Sequence, residues 1–160
     1  MIMKKVSILV STIDSGGAEK QAVLLAIQLS KHTDVNLIVL YGGHTEYKGN
    51  VDLLTKSSVK VHRLNGSMLL KTIRIRELLK ESHTDVLLNY LTMPDLLGSF
   101  LGKRLKISVY NGIRNSRLPR SKMLIEKWAH NHWATATIYN CYSGADYFEK
   151  STGFLYYLLR

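Results

Sequence analysis

A disulfide framework is excluded at the outset, because the sequence holds one cysteine, Cys141; a lone thiol fits a reducing compartment. No stretch approaches the ~18 to 20 consecutive apolar residues needed to cross a bilayer. Lysines precede an apolar run between Met1 and Val10, as they do in signal peptides, but the run is too short and no small-residue cleavage pattern follows. The dinucleotide fingerprint is missing: the first glycine turn reads S-G-G-A-E-K, and the next strand signal ends in Leu40-Tyr41-Gly42, where an acid is required. An NAD enzyme is therefore not expected. No G-K-[ST] follows the glycines, which removes a P-loop nucleotide site. Acid is scarce as well, with 12 acidic against 22 basic side chains and a net charge of +10.

That charge is unevenly spread, net +3 over residues 1–98 and net +7 over residues 99–160. Lys103, Arg104, Lys106, Arg114, Arg117, Arg120, Lys122 and Lys127 are opposed only by Glu126. Such a field draws anions, whether lipid headgroups or nucleotide phosphates, or is simply a solvated basic surface. Nucleic acid is not expected as a partner, since no recognition motif or run of stacking aromatics accompanies the charge. Composition is otherwise that of an ordinary globular chain of one domain, 46% apolar and 21% charged.

The chain is organised around Lys4 to Lys31. Val6 to Val10 is apolar except for one serine, which suits a strand covered on both faces. Asp14-Ser15-Gly16-Gly17 is a polar turn, and Ala22, Leu25, Ala26 and Leu29 then recur with the period of one helix face. The two glycines either let a bound anion approach the open amides of the helix start or merely permit a tight turn. Further strands are expected at 35–41, 59–64, 85–90, 106–110 and 137–141, with a polar loop from His44 to Lys56. Helices are expected from Met68 to Ser82 with Leu69, Ile73, Ile75, Leu78 and Leu79 as the apolar set, from Pro94, and from Pro119 to about Ala134 with Ile125, Trp128 and Ala129 on one face. Ser143 and Asp146 form a variant capping box for a last helix.

Strands and helices alternating at this spacing imply a Rossmann-like, doubly wound parallel α/β sheet with helices on both faces. With strand order 3-2-1-4-5-6, a ligand crevice opens outside the carboxyl ends of the first and fourth strands. Asp14 to Gly17, Tyr90 to Pro94 and Asn111 to Arg117 are expected to converge there. In the last loop, Arg114 and Asn115 suit phosphate or sugar hydroxyls, or Arg114 braces its own loop. Cys141 is read as core. His130 and His132 invite a metal, but positions i and i+2 do not share a helix face, so no metal site is expected. Trp128 is assigned to packing and Trp133 is left open. The terminal F-L-Y-Y-L-L-R, residues 154–160, carries no strand signal; it is a greasy tail that either precedes something further or adds a turn to the last helix.

Taken together, S-G-G-A-E-K-Q at the first turn, D-V-L-L-N-Y-L-T-M-P-D-L-L at the fourth strand, I-R-N-S after the fifth and Y-S-G-A-D-Y-F beyond the sixth resemble the amino-terminal domain of family 4 retaining glycosyltransferases of the GT-B type. The nearest likeness is to members that build bacterial capsule, lipopolysaccharide and lipid-linked glycans. The resemblance runs to about Gly153, so residues 1–153 are expected to be the acceptor-side half, with a donor-holding half absent beyond it and this chain inactive alone. It implies a nucleotide-diphosphate sugar as co-substrate and a glycan or lipid-linked acceptor, with no cofactor and no metal. Gly16, Gly17 and Arg114 would face the donor, while Asp14, Ser15, Glu19, Tyr90, Thr92, Asp95, Asn115 and Arg117 would line the cleft. Many relatives carry a histidine after the fourth strand; Leu91-Thr92-Met93 stands there, so no general base is assigned. A cytoplasmic protein, peripheral on the inner membrane face, is the implied setting. A non-catalytic module and a nucleotide-binding regulator are the competing expectations.

Overall fold

The computed structural model describes residues 4–113 and 120–139 and the backbone of residues 157–158. Its strands are Val6–Val10 (β1), Val35–Val39 (β2), Lys60–Arg63 (β3), Val86–Tyr90 (β4), Ser108–Ile113 (β5), Ala136–Tyr139 (β6) and Tyr157–Leu158 (β7). All neighbours pair in parallel, in the order β3-β2-β1-β4-β5-β6-β7. The expected six-strand order therefore holds. The tail differs from expectation, because β7 extends the sheet beside β6 with Ile138 opposite Tyr157.

Helices Gly17–Leu29 (α1), Lys48–Thr55 (α2), Met68–Glu81 (α3), Thr92–Leu105 (α4) and Arg120–Trp133 (α5) connect the strands. Strand alternation sorts the core onto two faces. Ile8, Val10, Leu37 and Val39 pack on α1 and α2 through Ala22, Ala26 and Leu54. Leu9, Ile38 and Leu40 point the other way, into a cluster with Ile75, Leu79 and Leu101. A strand buried on both faces must read as a continuous apolar run, which is why β1 and β2 were legible.

Three expectations change. The loop at 44–56 contains α2, a short helix with Gly49 inside it and only Asn50 and Leu54 fully buried. Its pattern is too polar to announce a helix, and tertiary bonds fix it instead: buried Asn50 donates Nδ2 to the carbonyls of Ile13 and Asp14 at 3.3 and 2.8 Å. On α3, Ile75, Leu78 and Leu79 are buried as expected, but Leu69 and Ile73 are exposed. Lys71 occupies the inward position one turn before Ile75. On α5 the inward face is Glu126, Ala129 and His130; Ile125 and Trp128 lie outside, Trp128 being 48% exposed. Trp133 instead packs edge-on against Phe100 at 5.2 Å and against Trp128 at 4.2 Å. The expected helix from Ser143, and Cys141, lie outside the described residues.

Candidate functional site

The parallel register sets Val10 opposite Tyr90, so the β1–α1 and β4–α4 turns emerge side by side at the carboxyl edge, where the winding of the sheet reverses. Tyr90 in turn pairs with Gly112, which brings the end of β5 to the same edge. Arg114, Asn115 and Arg117 lie outside the described residues.

In the first turn, Asp14 and Ser15 are exposed. The Ser15 amide donates to Asp14 Oδ1 at 2.7 Å, and Asn50 holds the Asp14 carbonyl from α2. Gly16 is the extended N-cap of α1 and supplies no side-chain cap, so the first helical amides remain open to a ligand or to solvent. The two glycines then differ. A Cβ at Gly17 meets nothing within 4 Å, whereas one at Gly16 lies 2.1 Å from Glu19 Oε2. Glu19 folds back over the turn, its Oε1 accepting a long hydrogen bond from Thr12 at 3.5 Å. A carboxylate is favoured at the positive end of a helix, and any anion arriving at Gly16 must displace it.

In the second turn, Leu91 adopts φ 78°, a conformation that a branched side chain disfavours. It begins α4 without a side-chain cap. Thr92 Oγ1 donates to Glu126 Oε1 of α5, tying the start of α4 to its neighbour. Tyr90 and Asp95, expected on the cleft wall, are buried at 4% and 1% exposure. Tyr90 belongs to the core that packs on α1, so its ring fills the domain interior.

Sequence reasoning did not assemble a buried group formed by Asp95, Glu126 and His130, whose ligand-type atoms lie within 4.8 Å of one another. Such a trio can take a small divalent cation or serve as a hydrogen-bonded core. His130 Nδ1 bonds Thr137 Oγ1. Burial pushes the His130 imidazolium down to about 4, so the ring is neutral near pH 7. His132, its neighbour in H-x-H, points elsewhere: it stacks on Trp128 and bonds that residue's carbonyl. The signal available was Glu126-x-x-x-His130, an i, i+4 pair that shares a helix face. Between β4, β5 and α4, Asn89 Nδ2 donates to Asn111 Oδ1 and Asn111 Nδ2 donates to Ser99 Oγ, both at 2.8 Å.

No protein-family model matches the chain. A 95-residue stretch is 33% identical to the GalNAc-alpha-(1->4)-GalNAc-alpha-(1->3)-diNAcBac-PP-undecaprenol alpha-1,4-N-acetyl-D-galactosaminyltransferase of Campylobacter jejuni, covering 56% of this chain and 26% of that protein. Among solved structures, Anabaena HepE in complex with UDP-glucose superposes with a TM-score of 0.80 at 14% identity, over 98% of this chain and 43% of that one. The UDP-N-acetylglucosamine 2-epimerase of Rickettsia bellii superposes at 0.61 and 16% identity, over 94% and 42%. The chain thus spans less than half the length of each of these proteins. Its fold is the Rossmann-like α/β domain that the two solved structures share with it.

Proposed function

We propose that this chain is the acceptor-side half of a glycosyltransferase that moves a sugar from a nucleotide-diphosphate sugar to a lipid-linked or polysaccharide acceptor in cell-surface glycan synthesis. The observation that carries the reading is the 33% identity to a sugar transferase whose named acceptor is an undecaprenyl-diphosphate glycan. The fold alone does not separate transferases from epimerases, since both superpose on it. The geometry supports transfer through the Gly16-Gly17 turn, which offers open helical amides beside the strained Leu91-Thr92 turn at the reversal of the sheet. Arg114, Asn115 and Arg117 would complete that crevice, and a retaining, metal-free transfer of the family 4 kind would need the donor-holding half as well. Among the described residues, no helix is long and apolar enough to cross a membrane. Contact with an anionic inner membrane face would then come from the basic surface.

Amide chemical-shift mapping tests the reading. A polyprenyl-diphosphate oligosaccharide should shift Gly17, Thr92 and their neighbours, while a UDP-sugar should bind this chain only weakly. Nucleotide binding tighter than about 1 μM with no response to the glycan would instead establish a nucleotide-binding regulator.

A further inference from the structure

At the outer end of the sheet, the carboxyl end of β3 and the first turns of α3 enclose a pocket of about 320 Å³ lined by His62, Arg63, Asn65, Lys71 and Arg74. It stands two strands away from β1, roughly 10 Å from the crevice at ~4.8 Å per strand. We propose that this pocket binds a phosphoryl group, with Lys71 as its central cation. The inference goes beyond the transfer reading and does not depend on it.

Lys71 is 8% exposed. Its ammonium lies 4.5 Å from the centre of the Tyr41 ring, and among the described residues no carboxylate comes within 4.0 Å of it. A ring face offsets only part of the cost of desolvating an ammonium. The other two cations are differently placed. Arg63 is held by Glu46 through two hydrogen bonds of 2.6 and 3.1 Å, and Arg74 by Glu77 at 3.0 Å with Glu81 at 3.5 Å. Those carboxylates orient the two guanidinium groups at the pocket rim and leave Lys71 as the charge without a counterion. His62 is bonded through Nε2 to Asn36 Oδ1 at 2.9 Å. Burial lowers its pKa first, and the charges of Arg74 and Lys60 lower it further against Glu81. An ammonium, two guanidinium edges and the Asn65 amide suit a tetrahedral, multiply charged oxyanion. The same helix presents Met68, Leu69, Leu70 and Ile73 to solvent, Leu69 at 71% and Leu70 at 60% exposure. That apolar shelf suits a phosphate carried on a lipid, although a free phosphate shares the chemistry.

Two ligands separate the sources. The full chain would be titrated with inorganic pyrophosphate by calorimetry and sedimented with phosphatidylcholine vesicles with or without phosphatidic acid, at low salt, alongside Lys71→Met and Arg74→Gln. Wild type should bind, and Lys71→Met should bind at least tenfold more weakly, as expected for loss of a charge-assisted contact. Pyrophosphate should raise the thermal midpoint of wild type but not of Lys71→Met, which should itself melt no lower than wild type because a buried unpaired charge is gone. Binding of phosphatidic acid vesicles alone assigns a lipid phosphate, and binding of both assigns the phosphoryl group from either source. Should Lys71→Met unfold, the exposed Arg74→Gln substitution decides the matter with a smaller loss in the same direction. Equal binding by wild type and every folded variant, or no binding of either ligand to wild type, overturns the proposal.

Discussion

Strands β1 and β2 are lined largely by hydrocarbon, whereas β4, β5 and the helices α4 and α5 beside them bury amides, hydroxyls and carboxylates. In β1 and β2 the polar exceptions are Ser7, bonded to Thr84 at 2.7 Å, and Asn36, bonded to His62, both near the amino ends of their strands. In the other half, Asn89 and Asn111 stand opposite each other toward the carboxyl ends, and Ser99, Asp95, Glu126, His130 and Thr137 are buried as well. Apolar packing tolerates modest changes of shape, while a hydrogen-bonded interior fails when one member is removed and its partners stay buried. The polar half is therefore the more exacting one, and it holds the turn that starts α4 at the crevice.

The comparison is broken most severely by removing one amide. Asn111→Leu leaves Asn89 Nδ2 and Ser99 Oγ buried without their partner. At 1–3 kcal/mol for each stranded group, the expected cost is about 4 kcal/mol. Ile38→Val, in the hydrocarbon half, should cost only about 1 kcal/mol. Urea unfolding of the two variants checks this, and equal losses would mean that the polar interior has no special weight.

Acid provides the second test. The folded-state pKa of His130 lies below the unfolded value of 6.5, at about 4, so between those values the unfolded chain binds the extra proton. The contribution is complete above pH 6.5 and is lost as pH falls through 4, on the order of 3 kcal/mol. His130→Gln should flatten that fall in stability between pH 6.5 and 4. An unchanged pH profile would place the acid sensitivity elsewhere in the chain.

The same contrast explains what was legible in the sequence. Parallel strands buried on both faces announce themselves as apolar runs, so β1 and β2 followed from pattern alone, while the strand order was assumed from the doubly wound arrangement and matches the sheet. Alternation of strand and helix also located the edge at which the Gly16-Gly17 and Leu91-Thr92 turns meet. Periodicity does not report side chains that are buried because they are hydrogen-bonded. Asn50 and Glu126 are polar in pattern, yet each is hydrogen-bonded and at most 4% exposed; Lys71, set against the Tyr41 ring, is as hidden from periodicity. The tryptophans illustrate the same limit, since Trp133 packs on Phe100 while the bulkier apolar-looking face of Ile125 and Trp128 is turned outward. Glu126 and His130 were nonetheless readable as an i, i+4 pair, which the more conspicuous H-x-H obscured.

The smallest expected effect on stability carries the sharpest functional content, because it sets one glycine in each half against the other. A Cβ at Gly98 of α4 would lie 2.1 Å from Asn89 Oδ1, inside the polar interior, so Gly98→Ala should cost about 2 kcal/mol. Gly17 lies in α1 with open space where its Cβ would project, so alanine there fits the helix and should leave stability unchanged or raise it by up to ~1 kcal/mol. If the β1–α1 turn is a contact surface for substrate, the added methyl should nevertheless weaken the glycan-induced shifts around Gly17 while the melting temperature holds. A Gly17→Ala variant that melts as early as Gly98→Ala would show that the glycine serves the fold, and full retention of the glycan response would remove this turn from the binding site.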